Sequence, residues 1–131
     1  MRLNGYFRAG PLEAAYITAV VSLPELQLRQ RLDLLVDTEA TKTTILDRDA
    51  QSIGISYSKL ARSKLPLLGL GGSVETYFAK DAELYFRTER GTEHKEPLQE
   101  LLIVKHTVRD ENIMRIPSVL GRDTEQVPIN L

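Results

Sequence analysis

The most constraining feature of this chain is a strict alternation that stops at an acid. Leu26, Leu28, Leu32, Leu34 and Val36 share one parity, broken only by Gln30, while Gln27, Arg29, Arg31 and Asp33 share the other. A period of two over that length is a half-buried β-strand, because successive strand side chains point to opposite faces. Leu34, Leu35 and Val36 are apolar on both parities, so the strand's end enters the interior and delivers the chain at Asp37. A carboxylate carried inward in this way needs hydrogen bonds or a partner charge. Two readings of Asp37 stand open from these residues. It is a functional acid, or it is an Asx-turn residue satisfied by N–H groups of Thr38, Ala40 or Thr41.

The remaining chain reads as many short strands. Residues 16–23 are rich in β-branched side chains and end at the turn Leu23-Pro24-Glu25-Leu26. Residues 43–46 form a short strand. Asp47 then caps a brief helix with Leu46, Ala50 and Ile53 inward and Gly54 at its end. Residues 65–68 and 74–86 are extended runs around Gly69-Leu70-Gly71-Gly72, a pattern that predicts a hairpin with a glycine-rich tip. That tip is no phosphate cradle, since no Lys-Ser/Thr follows it and the next segment is strand rather than helix. Residues 87–97 read as a polar turn, 98–104 as a strand, 107–112 as a charged loop and 116–120 as a last strand, ending at Gly121-Arg122-Asp123. A chain of 131 residues makes one domain, residues 1–131. The expected class is all-β, a small closed β-barrel-like fold with one or two short helices.

Composition removes several functions. Cysteine is absent, which excludes disulfides, thiolate nucleophiles and Cys-based metal centres. Seventeen basic residues against eighteen acidic ones leave a net charge of −1, so no electrostatic case exists for nucleic acid or an anionic membrane. The absence of Trp leaves little for base stacking. The apolar stretch 14–23 is too short to span a bilayer and no small-x-small cleavage site follows it, so the expected location is cytoplasmic. His94 and His106 read as solvated side chains rather than a metal pair, and Tyr77 and Tyr85, on one parity of a strand, as packing residues.

Three pieces occur in a telling order: Leu34-Leu35-Val36-Asp37-Thr38-Glu39-Ala40, then Gly69-Leu70-Gly71-Gly72, then Val119-Leu120-Gly121-Arg122-Asp123. From about residue 16 to residue 123 the chain resembles the retropepsin-like aspartic peptidases, the single-domain family typified by retroviral proteases. That family places apolar residues before Asp-Thr/Ser-Gly-Ala, has a glycine-rich flap, and ends with two apolar residues before Gly-Arg-Asp/Asn. The resemblance implies a homodimer with Asp37 of each subunit meeting its symmetry mate. The two acids would share a proton and activate a water to hydrolyse peptide bonds, with no metal and no cofactor. Thr38 would brace the paired loops, residues 69–72 would form the flap, and residues 127–131 would form an intersubunit strand, weakened by Pro128.

The chain also departs from that pattern. Glu39 stands where the family has glycine, adding bulk and a second acid beside Asp37, so it is expected to impair activity. Thr41 replaces an acid that pairs with the signature arginine, which leaves Arg122 to seek Asp33 or a backbone carbonyl. Asp123-Thr124-Glu125 repeats the Asp-Thr-Glu triplet, but Gly121-Arg122 replaces the apolar lead-in. Asp123 is therefore read as a structural, helix-capping residue. The leading expectation is an aspartic endopeptidase that acts on a peptide or protein substrate. The alternative is a catalytically silent dimer of the same fold that serves as a peptide-binding or assembly module. A third reading is a monomeric β-barrel that binds a ligand without any acid dyad.

Overall fold

The computed structural model describes residues 2–8, 14–37, 39–63, 74–124 and 129–130. Its strands are β1 (Leu3–Asn4), β2 (Tyr6–Arg8), β3 (Ala14–Leu23), β4 (Leu28–Val36), β5 (Thr44–Ile45), β6 (Ala61–Ser63), β7 (Val74–Arg87), β8 (Glu93–His106), β9 (Val119–Leu120) and β10 (Ile129–Asn130). One α-helix, α1 (Asp47–Ile53), follows β5, and short 3-10 turns lie at Pro24–Leu26, Tyr57–Lys59, Ile113–Arg115 and Arg122–Thr124.

Alternation sets the register of the long strands. β3 and β4 are antiparallel with Ile17 opposite Leu34 and Ala19 opposite Leu32, so their apolar parities bury together. Pro24 fixes its own φ and opens a 3-10 turn. Gln27 closes that turn at φ 54, donating its N–H to the Pro24 carbonyl at 3.1 Å. Leu26 therefore belongs to the turn, and the strand expected to start there begins at Leu28. α1 runs as expected to Gly54, whose φ of 83 suits a residue without Cβ.

β7 and β8 form a long hairpin from Val74↔His106 to Arg87↔Glu93. Residues 87–97 are thus not one polar turn. The reversal is confined to a tight loop in which Thr88 donates its N–H to the Thr92 carbonyl at 2.7 Å. Residues 93–97 continue the ladder as strand. Their polar composition reflects a stretch that extends past the core, steadied by cross-strand contacts such as Lys95 to Glu83 at 3.2 Å. Phe86, Leu3, Ile17, Leu34, Ile45, Leu84, Leu101 and Ile103 are fully buried and form the centre of the core.

The sheet is mixed and does not close into a barrel, which corrects the expected closed all-β barrel. Its order is β2-β3-β4-β9-β5-β8-β7-β6, and the end strands β2 and β6 do not pair with each other. An additional β3–β7 pairing folds the sheet over on itself, but it covers only Val20↔Tyr85 to Ser22↔Glu83. The physical reason lies in the middle of the sheet. β5 and β9 are two residues long, and a single pair, Thr44↔Val119, joins them. That wall is too short to carry a continuous ladder around a barrel. β10 pairs in parallel with β1 of the same chain, Leu3↔Ile129 and Asn4↔Asn130. Among the described residues no helix is long and apolar enough to cross a membrane.

Candidate functional site

The site begins with a parallel pair. β4 and β9 run side by side with Leu35 opposite Val119 and Val36 opposite Leu120. Leu35 donates its N–H to the Ser118 carbonyl at 2.9 Å, and Asp37 donates its own to the Leu120 carbonyl at 3.2 Å. A parallel ladder brings two strand ends to the same edge, so Asp37 emerges beside Gly121. The segments Leu34-Leu35-Val36-Asp37 and Val119-Leu120-Gly121-Arg122-Asp123, far apart in sequence, are thereby placed in contact.

Just beyond the strands the two loops cross. Arg122 donates its N–H to the Ala40 carbonyl at 2.8 Å, and Gly121 donates to Thr43 Oγ1 at 3.1 Å. A Cβ on Gly121 would stand 2.4 Å from the Lys42 carbonyl carbon and 2.8 Å from the Thr43 nitrogen, so only glycine permits the crossing. Asp123 locks it. Both of its carboxylate oxygens accept the Thr43 N–H at 3.0 Å, and Oδ1 accepts the Thr43 hydroxyl at 2.7 Å. Asp123 is structural, as its sequence context suggests, but it acts as a clamp on the other loop rather than as a helix cap.

Asp37 itself is half-buried. Its Oδ1 accepts the Glu39 N–H at 3.0 Å, and its carbonyl accepts the Ala40 N–H at 3.3 Å. The Asx-turn geometry is present, with Glu39 as donor in place of the three residues expected. Among the described residues Oδ2 has no hydrogen-bond partner. The Glu39 side chain is exposed and makes no ion pair among the described residues. Thr38 lies outside the described residues, as do Gly69, Leu70, Gly71 and Gly72. Residues 65–68, expected as the first arm of that hairpin, lie outside them too; the described strand before them is β6, which pairs with β7 through Ala61↔Phe78, Arg62↔Tyr77 and Ser63↔Thr76.

Arg122 does not reach Asp33. Asp33 is held by Arg8 at 2.9 Å and by the Thr18 hydroxyl at 2.7 Å. Partial burial works against the Asp33 carboxylate, but hydrogen bonds from Thr18 and Tyr6, with the Arg8 charge, hold its pKa below the ordinary 3.8. Among the described residues, the backbone-carbonyl contact expected of Arg122 is made by its main-chain N–H, to Ala40.

A second polar constellation escaped the sequence reading. Asp47 is fully buried; its Oδ1 accepts the His106 main-chain N–H at 2.8 Å and Arg109 Nε at 3.1 Å. Its Oδ2 lies 2.5 Å from His106 Nδ1. Arg109 also donates to the Tyr57 hydroxyl at 2.8 Å. Burial raises the Tyr57 pKa, and the neighbouring Arg109 opposes that rise. His106 is 2% exposed, which corrects its reading as a solvated side chain. One signal was available: His106 continues the parity of Leu102 and Val104, both buried. Asp47 is the first residue of α1 rather than its cap, a position held by Leu46.

No protein-family model matches this chain. No curated protein matches it either. Among solved structures, the fold is similar to the crystal structure of a retropepsin-like aspartic protease from Rickettsia conorii. The TM-score is 0.52 at 17% identity, over 92% of this chain and 76% of that one. At that identity the likeness is one of fold.

Proposed function

We propose that residues 1–131 are one half of an aspartic peptidase. Two copies pair about a two-fold axis, bring their Asp37 carboxylates together and hydrolyse peptide bonds with a water held between them. One observation carries this reading: the parallel β4–β9 pair sets Asp37 on a loop locked against Gly121-Arg122-Asp123, with its Oδ1 fixed by a turn. The fold likeness to a retropepsin-like protease supports it. Two carboxylates at hydrogen-bonding distance cannot both ionise, so the pair shares one proton. The ionised member takes a proton from water as the water oxygen adds to the scissile carbonyl carbon. The protonated member donates to the carbonyl oxygen. Collapse of the resulting diol breaks the C–N bond as a proton passes to the leaving nitrogen. Thr38 braces the loops across the axis, and the segment Gly69-Leu70-Gly71-Gly72 closes over the substrate.

Glu39 shapes the activity. Its exposed carboxylate follows directly on the Asp37 turn. In the dimer it brings a second pair of acids toward the axis, where like charges repel and resist close approach. Peptide cleavage at acid pH is the test. The parent cleaves slowly, Glu39→Gly cleaves faster, and pepstatin blocks both. Cleavage by Asp37→Asn at the parental rate would contradict the assignment. The same Glu39 favours a second reading, a silent dimer that binds peptide without cutting it. Dimerisation with no cleavage by either the parent or Glu39→Gly selects that reading.

A further inference from the structure

β3 and β7 stay together for only three residues, Val20↔Tyr85 to Ser22↔Glu83. Beyond Tyr85 they part. β3 is next paired by β2 at Tyr16↔Tyr6, while β7 is next bridged by Leu3 at Thr88. Among the described residues, 17–19 of β3 have no strand partner on the edge away from β4. Residues 86–87 of β7 have none on the edge away from β8. These two bare edges flank a half-open cleft of about 640 Å³. That volume lies within the roughly 300–1,000 Å³ of ligand pockets. None of the lining residues belongs to the Asp37 loop or to Gly121-Arg122-Asp123.

The cleft has two chemically distinct sides. On one, Ile17, Ala19 and Phe86 lie along the cleft with their side chains already packed into the core. On the opposite parity, Arg31 lies in one row with Val20 and Tyr85, and Arg87 follows Tyr85 on the same face. Both arginines line the cleft, both are exposed, and neither makes an ion pair among the described residues. Glu93, opposite Arg87 in the β7–β8 ladder, is the one acid in the lining among the described residues.

We propose that this cleft takes an extended acidic peptide, which adds as a strand between β3 and β7 and sets its carboxylates against Arg31 and Arg87. Bare strand edges on both flanks offer main-chain hydrogen bonds to an inserted strand, the usual source of affinity in strand addition. Alternation then dictates the sequence it prefers. The side chains on the arginine face are acidic, and those on the other face are small, because Ile17, Ala19 and Phe86 are only 1–2% exposed and leave little room beside them. This site stands apart from the Asp37 assignment, and its readout needs no peptidase activity.

The probe is a seven-residue peptide of alternating Val and Glu with blocked ends, titrated into the full chain by calorimetry and by amide NMR shifts. The expected result is saturable binding, with shifts at residues 17–19 and 86–88 and none at Asp37. Arg31→Gln and Arg87→Gln each weaken binding about two- to fivefold, the range for exposed ion pairs. Glu93→Gln strengthens it. A version with Lys for Glu, or one N-methylated at every second residue, fails to bind. Three results would each overturn the proposal: undiminished binding by the Lys peptide, undiminished binding by the N-methylated peptide, or full competition by free glutarate, which would mark a simple carboxylate pocket.

Discussion

Asp37 and Asp47 each follow an apolar run, yet they finish in opposite surroundings. Asp47 comes after Ile45 and Leu46 and is wholly enclosed, its two oxygens taken up by the His106 main chain, the His106 ring and Arg109. Asp37 comes after Leu35 and Val36 and is only half-buried, with one oxygen held by the Glu39 N–H. A buried carboxylate saturated with charged and polar donors is spent on structure, since its acceptor lone pairs are already taken. A carboxylate pinned through one oxygen at a loop crossing keeps a lone-pair face for chemistry. The inventory of donors, more than burial alone, separates these two acids.

That contrast breaks most visibly at Asp47. Asp47→Ala leaves His106 and Arg109 without their shared acceptor and is expected to cost about 3–5 kcal/mol in urea unfolding. A loss below about 1 kcal/mol would show that the enclosed cluster is not a structural post. Gly121→Ala comes next, because its new Cβ meets main-chain atoms of Lys42 and Thr43 that have nowhere to go. About 3 kcal/mol is expected, measured in the same way. Asp123→Ala removes the clamp on Thr43 and should cost about 2 kcal/mol. At the other end of the scale, Asp37→Asn should change stability by less than about 1 kcal/mol while abolishing cleavage.

The smallest effect belongs to Asp33. Its folded pKa lies below its unfolded value, so its contribution is present at neutral pH and is lost as pH falls through the lowered value. The Arg8–Asp33 pair is largely solvent-exposed, which screens the contribution to about 0.5 kcal/mol or less. Comparing the acid limb of the stability curve with that of Asp33→Asn measures it; a large difference would mean that this surface pair, and not the interior alone, holds the fold together.

The sequence exposed some of this architecture and hid the rest for identifiable reasons. β3, β4 and β7 are legible because each carries a sustained alternation against one core. α1 is legible because Gly54 ends it at a left-handed φ. The juxtaposition of Asp37 with Gly121-Arg122-Asp123 follows from a motif resemblance, not from periodicity. Residues 93–97 were hidden because a strand that leaves the core loses its apolar parity while its ladder continues. The open sheet was hidden because pairing length is not written in any one strand: residues 43–46 and 116–120 read as strands, and nothing in them declares that only Thr44–Ile45 and Val119–Leu120 join the ladder. The Asp47–His106 contact joins two segments distant in sequence, and its sole trace was one histidine on a buried parity.

The most direct test of the account is the separation of the two Asp37 carboxylates in a crystal structure of the assembled protein. The expected result is a two-fold dimer with one oxygen of each acid about 3 Å from its mate, near enough to share a proton. Copies that join through another surface and leave the two Asp37 side chains far apart, or a chain that stays single with both oxygens of Asp37 satisfied by its own backbone, would contradict it.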